Sequence, residues 1–197
     1  KVQKLAAYPK CQLCPENAGF AGTLTHPARQ NLRPLPITVN GEKWQFQYSP
    51  YGYFNEHCIF FNEKHVPMII DSAVFDKLFD IAEKHHIYLM PTFLSFDHFK
   101  DGNTGAEQWR MLVQDDTLIQ SYIDKYVNVF MDRYADEPYL WAIDLMNEPD
   151  WVVENAECGR IGWDKMSNFF AKVSAAIHEK SEDTLVTVGG DSSNGYP

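Results

Sequence analysis

A chain of 197 residues, 45% of them hydrophobic and 22% charged, can bury a sizeable core in one or two domains. Its 27 acidic residues outnumber 17 basic ones and give a formal net charge of -10. That balance repels phosphate and argues against nucleic-acid and anionic-membrane partners.

No apolar run approaches the roughly 18 residues of a membrane span, and residues 1–7 hold no hydrophobic stretch of signal-peptide length. A cytoplasmic location is therefore favoured, with secretion kept open. The four cysteines, Cys11, Cys14, Cys58 and Cys158, are too unevenly spread for a disulfide framework, and reduced thiols are expected.

Up to residue 70 the chain is rich in turn-formers, with Pro9, Pro15, Pro27, Pro34, Pro36, Pro50 and Pro67, so short strands are expected rather than long helices. Asn40-Gly41 lies between residues 36–39 and 42–46, a strong hairpin signal because both residues tolerate positive φ. Residues 57–61 read as a further strand. From Asp71 the period changes. Val74, Phe75, Leu78, Phe79 and Ile81-Ala82 recur at helical spacing, with Asp71 or Ser72 as the N-cap. A buried strand is then expected over 87–93 and a long amphipathic helix over 118–134. A strand over 140–146, a helix over 163–177 and a strand over 185–188 follow. Helices alternating with buried strands imply a parallel sheet.

Two constellations carry chemistry. Cys11-Gln-Leu-Cys14 has the spacing at which two thiolates share one tetrahedral zinc, while two unligated cysteines beside a turn would read the same. Arg29 and Arg33 could pair with phosphate groups, because a guanidinium presents a bidentate fork, although solvated arginines look identical in sequence. The other constellation is the apolar run that ends in Asn147-Glu148-Pro149, which presents a carboxylate at the end of a strand.

Residues 8 to about 80 resemble the type 2 galactose-1-phosphate uridylyltransferases. The resemblance lies in residues 8–17, in His26-Pro-Ala-Arg-Gln-Asn31, in residues 44–51 and in Tyr53-Phe-Asn-Glu-His-Cys58 with His65-Val-Pro-Met68. It implies that His65 adds a third zinc ligand to Cys11 and Cys14, and that a UDP-sugar is a partner. The family takes the uridylyl group on a histidine of a His-x-His motif. His98 falls near that motif's second position, but Phe96 stands in place of the first, so His98 is read as a loop residue that approaches a sugar.

Residues from about 75 to 197 resemble glycoside hydrolase family 5, the cellulase and β-mannanase type of TIM barrel. Residues 82–93, 133–141 and 143–151 carry this likeness. By the resemblance, Glu148 is the general acid, Asn147 holds the sugar 2-hydroxyl, and Trp151, with Trp109 and Trp141 as alternatives, offers an apolar platform to a pyranose face. The family's nucleophile glutamate ends the seventh strand. None of Asp144, Asp150, Glu154 and Glu157 matches its position, so weak or no turnover is expected. No cofactor is needed for this chemistry, and a β-linked oligosaccharide or polysaccharide is the implied partner.

The expected fold class is α/β: a partial (β/α)8 barrel segment (strands 3 to 5) over residues 75–197, preceded by a small β-rich α+β segment over 1–74. The glycosidase reading is preferred because it covers more of the chain and keeps one whole catalytic motif. A zinc- and UDP-sugar-binding uridylyltransferase fragment is one alternative. A recombined, non-catalytic chain or carbohydrate-binding module is the other.

Overall fold

The computed structural model describes residues 19, 33–39, 41–48, 58–64 and 71–190. The chain divides into two compact units, Lys1–Ile69 and Ile70–Pro197.

In the first unit, three antiparallel strands lie in the order β1 (Leu35–Val39), β2 (Glu42–Tyr48), β3 (Cys58–Asn62). Val39 pairs with Glu42, which leaves a two-residue connection, and Gly41 within it has φ 79°, a conformation that glycine adopts without steric cost. The hairpin expected at Asn40-Gly41 is therefore present, with strands one and two residues longer than the expected ones.

Alternation along β2 places Gln45 and Gln47 on one face, and both are buried. Gln45 donates to Glu63 Oε2 at 3.2 Å. Among the described residues, the Gln47 amide has no hydrogen-bond partner for either its nitrogen or its oxygen. Such a group loses its water without replacement, at a cost of about 1–3 kcal/mol. Gln47→Leu is therefore expected to stabilise this unit by about 1 kcal/mol. Urea denaturation followed by circular dichroism measures it, and an unmoved midpoint would mean that the amide is satisfied.

The second unit is a parallel sheet in the order β4 (Thr92–Ser95), β5 (Ala142–Asn147), β6 (Leu185–Gly189), with helices between successive strands. The central strand β5 is buried from Ala142 to Met146, as expected of a strand covered on both faces. The helices before and after it follow from sequence pattern. In α1 (Ser72–His85), Asp71 accepts the Val74 N–H at 3.0 Å as N-cap, and the helix ends at His86 with φ 55°. Phe75 and Phe79 of α1 pack on Tyr134, with ring centroids 5.7 and 5.1 Å away. The Arg133 guanidinium beside Asp76 holds that carboxyl below its usual range. In α6 (Trp163–Lys180), Met166, Phe169, Val173, Ala176 and Ile177 form the buried stripe.

Two expected elements differ. The strand expected over 87–93 pairs mainly over 92–95, while Ile87, Tyr88 and Met90 are exposed. Leu89 does bridge Leu140 in parallel, but Pro91 has no N–H and so interrupts the ladder; only its carbonyl takes part, accepting from Asp144 N at 2.9 Å. The long helix is three pieces: α3 (Asp116–Tyr122), a π-helical turn (Ile123–Val127) and α4 (Asn128–Tyr134). The wider π turn buries Tyr122, Ile123 and Val127 while leaving Tyr126 exposed. Two short helices, α2 (Ala106–Leu112) and α5 (Pro149–Glu154), complete the unit together with 3-10 turns at Phe96–Phe99 and Ala156–Cys158.

Candidate functional site at the carboxyl end of the parallel sheet

Strands β4 and β5 end at the same level, with Ser95 paired to Asn147, so the segments that follow both strands leave the same edge of the sheet. That edge is where open parallel sheets build sites, because side chains from several strands converge there. Asn147, the last residue of β5, is exposed, and Glu148 follows it half-buried. Glu148 has φ 51° and ψ 55° and caps α5, with Pro149 in the first helical turn. A non-glycine residue in the left-handed region stores roughly 1 kcal/mol or more, which the surroundings must offset. Here the Glu148 N–H donates to the Gly189 carbonyl of β6 at 2.6 Å, and the Glu148 carbonyl accepts from Trp151 N at 3.2 Å.

Trp151 stands above this edge, stacked on Phe96 of the neighbouring turn with centroids 5.4 Å apart and planes 27° from parallel. One indole face is therefore taken by Phe96. The turn carrying Phe96 is fixed locally: Ser95 N–H donates to His98 Nδ1 at 3.0 Å, and the His98 ring meets Trp109 edge-on at 5.1 Å. His98 Nδ1 also lies 3.0 Å from the Ser95 carbonyl oxygen, so this cap engages Nδ1 and not Nε2. Trp109 packs against the core, and Trp141 lies at the amino end of β5, seven residues and about 20 Å of strand from Glu148. The structure thus brings Asn147, Glu148, Trp151 and His98 to one edge and leaves Trp141 away from it.

Arg110 and Asp144, which no motif pointed to as ligands or acids, organise this edge. Arg110 donates to the Phe99 carbonyl from Nε at 2.9 Å and from Nη2 at 2.6 Å. It also reaches the Glu157 carbonyl at 2.8 Å and Asp101 Oδ1 at 2.6 Å. The Asp101 carboxylate raises the Arg110 pKa further above its usual value. Gly159 closes over this side chain, and a Cβ there would come within 3.0 Å of Arg110 Cδ. Asp144 is the single carboxylate inside β5. A charged residue in an otherwise apolar buried strand was the available signal.

Cys11, Cys14, Arg29 and His65 lie outside the described residues, so their arrangement is not part of this geometry. Arg33 precedes β1 and is exposed. Cys158 is a buried free thiol, and burial pushes its pKa up. Among the described residues no three His, Cys, Asp or Glu side chains gather as a metal site, and no helix is long and apolar enough to cross a membrane.

Comparison with known proteins gives a likeness in sequence and a different likeness in fold. Residues 1–67 match the sequence model of the galactose-1-phosphate uridyl transferase N-terminal domain. Among curated galactose-1-phosphate uridylyltransferases, that of Butyrivibrio fibrisolvens is 46% identical over 129 residues, covering 60% of this chain and 33% of that protein. That of Caldanaerobacter subterraneus subsp. tengcongensis is 55% identical over 92 residues, covering 46% and 18%. That of Fusobacterium nucleatum is 41% identical over 191 residues, covering 92% and 36%. The chain thus spans about a third or less of the length of these relatives.

The solved structures with a similar fold are of another kind. The β-mannanase of Mytilus edulis gives a TM-score of 0.51 at 19% identity, covering 65% of this chain and 44% of that one. The β-1,4-D-mannanase of Cryptopygus antarcticus gives 0.50 at 20%, covering 63% and 40%. The likeness to the uridylyltransferases in sequence includes residues 1–67 and in one relative extends over 92% of the chain, while 63–65% of the chain resembles the mannanases in its mixed α/β fold. The sequence comparisons favour the uridylyltransferase expectation over the glycosidase one.

Proposed function

We propose that this chain is built on the amino-terminal region of a hexose-1-phosphate uridylyltransferase and binds zinc and a UDP-sugar, with the changeover between its two likenesses near residues 75 to 87. The observation that carries this reading is the match of residues 1–67 together with identities of 41–55% to curated relatives. Cys11 and Cys14 would supply two thiolates and His65 an imidazole, three of the four ligands of a tetrahedral zinc, and the bound metal would hold the turn-rich segment together. Arg29 and Arg33 would pair with the diphosphate. With Phe96 where the family's first motif histidine is expected, this region binds rather than takes the uridylyl group.

The test is metal analysis with a thermal scan. Near-stoichiometric zinc is expected, lost in Cys14→Ser, and UDP-glucose at about 100 times its dissociation constant should stabilise the fold by about 2.7 kcal/mol. A zinc-free chain whose melting is indifferent to UDP-glucose refutes the reading.

A second reading is favoured by the left-handed Glu148 at the carboxyl end of a parallel strand, beside Asn147 and Trp151. In it, the second unit corresponds to strands 3 to 5 of a (β/α)8 barrel and offers a β-linked mannan or glucan a partial cleft. Glu148 would protonate the leaving oxygen and Asn147 would bind the 2-hydroxyl. Retaining hydrolysis needs a second carboxylate about 5 Å from the first, so binding is expected to exceed turnover. Any hydrolysis of an aryl β-mannoside should fall at least about 100-fold in Glu148→Gln, the size of a general-acid contribution. Residual activity that this substitution leaves untouched would remove Glu148 from the chemistry.

A further inference from the structure

Asp144 lies in mid-strand with 6% of its surface exposed, where carboxyl oxygens escape the cost of losing water only if they are hydrogen-bonded. They are. Oδ2 accepts the Thr92 hydroxyl of β4 at 3.0 Å, while Oδ1 accepts Gly189 N–H of β6 at 3.1 Å and Met146 N–H of its own strand at 3.3 Å. One side chain therefore touches all three strands of the sheet.

The location coincides with an irregularity. Asp144 pairs with Thr187 and Asn147 with Gly189, so three steps along β5 face two along β6. At such a bulge one backbone group loses its regular ladder partner. The Asp144 carboxylate receives the Gly189 N–H in place of a backbone carbonyl. The Gly189 carbonyl, on the same residue, accepts the Glu148 N–H at 2.6 Å. A path of two hydrogen bonds thus runs from Asp144 through Gly189 to the residue held at φ 51°.

We infer that Asp144 is a positioning residue, which through Gly189 holds Glu148 in its left-handed conformation at the sheet edge. It touches no substrate. The functional side of this inference rests on the reading of Glu148 as a sugar-facing acid, whereas the mechanical side does not. Thr92 binds the other carboxylate oxygen and lies off the path to Glu148.

Hydrogen exchange of the full chain, read residue by residue by NMR, tests it. In Asp144→Ala the Glu148 amide should exchange at least about 10-fold faster relative to Leu145 than in the parent, because only the anchored end of the strand opens. Asp144→Asn keeps one acceptor oxygen and should restore most of the protection, while Thr92→Val should leave Glu148 unchanged. Acceleration of Glu148 only in step with Leu145, or an equal effect of Thr92→Val, overturns the inference. Should Asp144→Ala not fold, the through-hydrogen-bond coupling between Glu148 nitrogen and Gly189 carbonyl carbon decides: it is expected in the parent and in Asp144→Asn, and its absence from the parent overturns the inference. Titration with β-1,4-mannotetraose is a separate readout. A parent chain that shows no shifts at Asn147 and Trp151 refutes the sugar reading and leaves the exchange result standing.

Discussion

Phe169→Ala is expected to lower stability by about 4 kcal/mol, the largest effect of any single side chain considered. Phe169 is 1% exposed and sits where α6 meets the α3–π–α4 rod, its ring 5.8 Å from that of Tyr122 and 5.7 Å from that of Phe170. Truncation to alanine removes the apolar contact and leaves a void between a helix and a rod that are both tied elsewhere. Lys172 and Asn168 of α6 hold Asp116 at 2.8 and 2.9 Å, and Lys180 holds Asp132 at 2.7 Å, so the elements cannot easily close the gap. Against a typical total of 5–15 kcal/mol, that loss brings the unit near its unfolding threshold at ambient temperature. A control is Val129→Ala on the exposed side of α4, which should change stability by under about 0.5 kcal/mol. Urea midpoints at constant slope compare the two, and equal shifts would place the core elsewhere than along α6.

Arg110→Met is expected to cost about 2 kcal/mol and to loosen the edge that carries His98 and Trp151. The arginine side chain is 15% exposed and satisfies two backbone carbonyls, those of Phe99 and Glu157, besides the Asp101 carboxylate. Methionine keeps much of the packing volume and removes every donor, leaving carbonyls near the buried Phe99 without their partner. Because these carbonyls belong to the turns after β4 and after α5, the loss should appear there first. Faster amide exchange at Asp101, whose N–H donates to Glu157 O at 2.7 Å, would report it. Arg110→Lys should recover only part of the loss, since one ammonium cannot match the planar fork. An unmoved urea midpoint in Arg110→Met would show that water replaces the clamp at no cost.

Much of the architecture was legible because local chemistry and tertiary packing agree. Asn40-Gly41 specified a hairpin, Asp71 capped α1, and the apolar spacing of α6 named its buried stripe. Agreement failed where the signal depended on neighbours. Residues 87–90 have the composition of a buried strand, yet they run past the covered part of the sheet, and Pro91 removes a ladder donor. The apolar pattern of 118–134 is continuous with one helix, but the burial of both Tyr122 and Ile123 is accommodated by a π turn that no residue type announces.

The candidate site divides in the same way. Sequence by itself determined the uridylyltransferase likeness of the first region and the position of Asn147-Glu148-Pro149 at the end of an apolar strand. Both are properties of consecutive residues with strong local preferences. Only the tertiary structure decided that Trp151 stacks on Phe96 while Trp141 lies at the far end, that Arg110 ties two turns, and that Asp144 reaches Glu148 through Gly189. The physical reason is separation along the chain: Asp144 and Gly189 are 45 residues apart. Their hydrogen bond arises from parallel register and a bulge, which no local preference encodes.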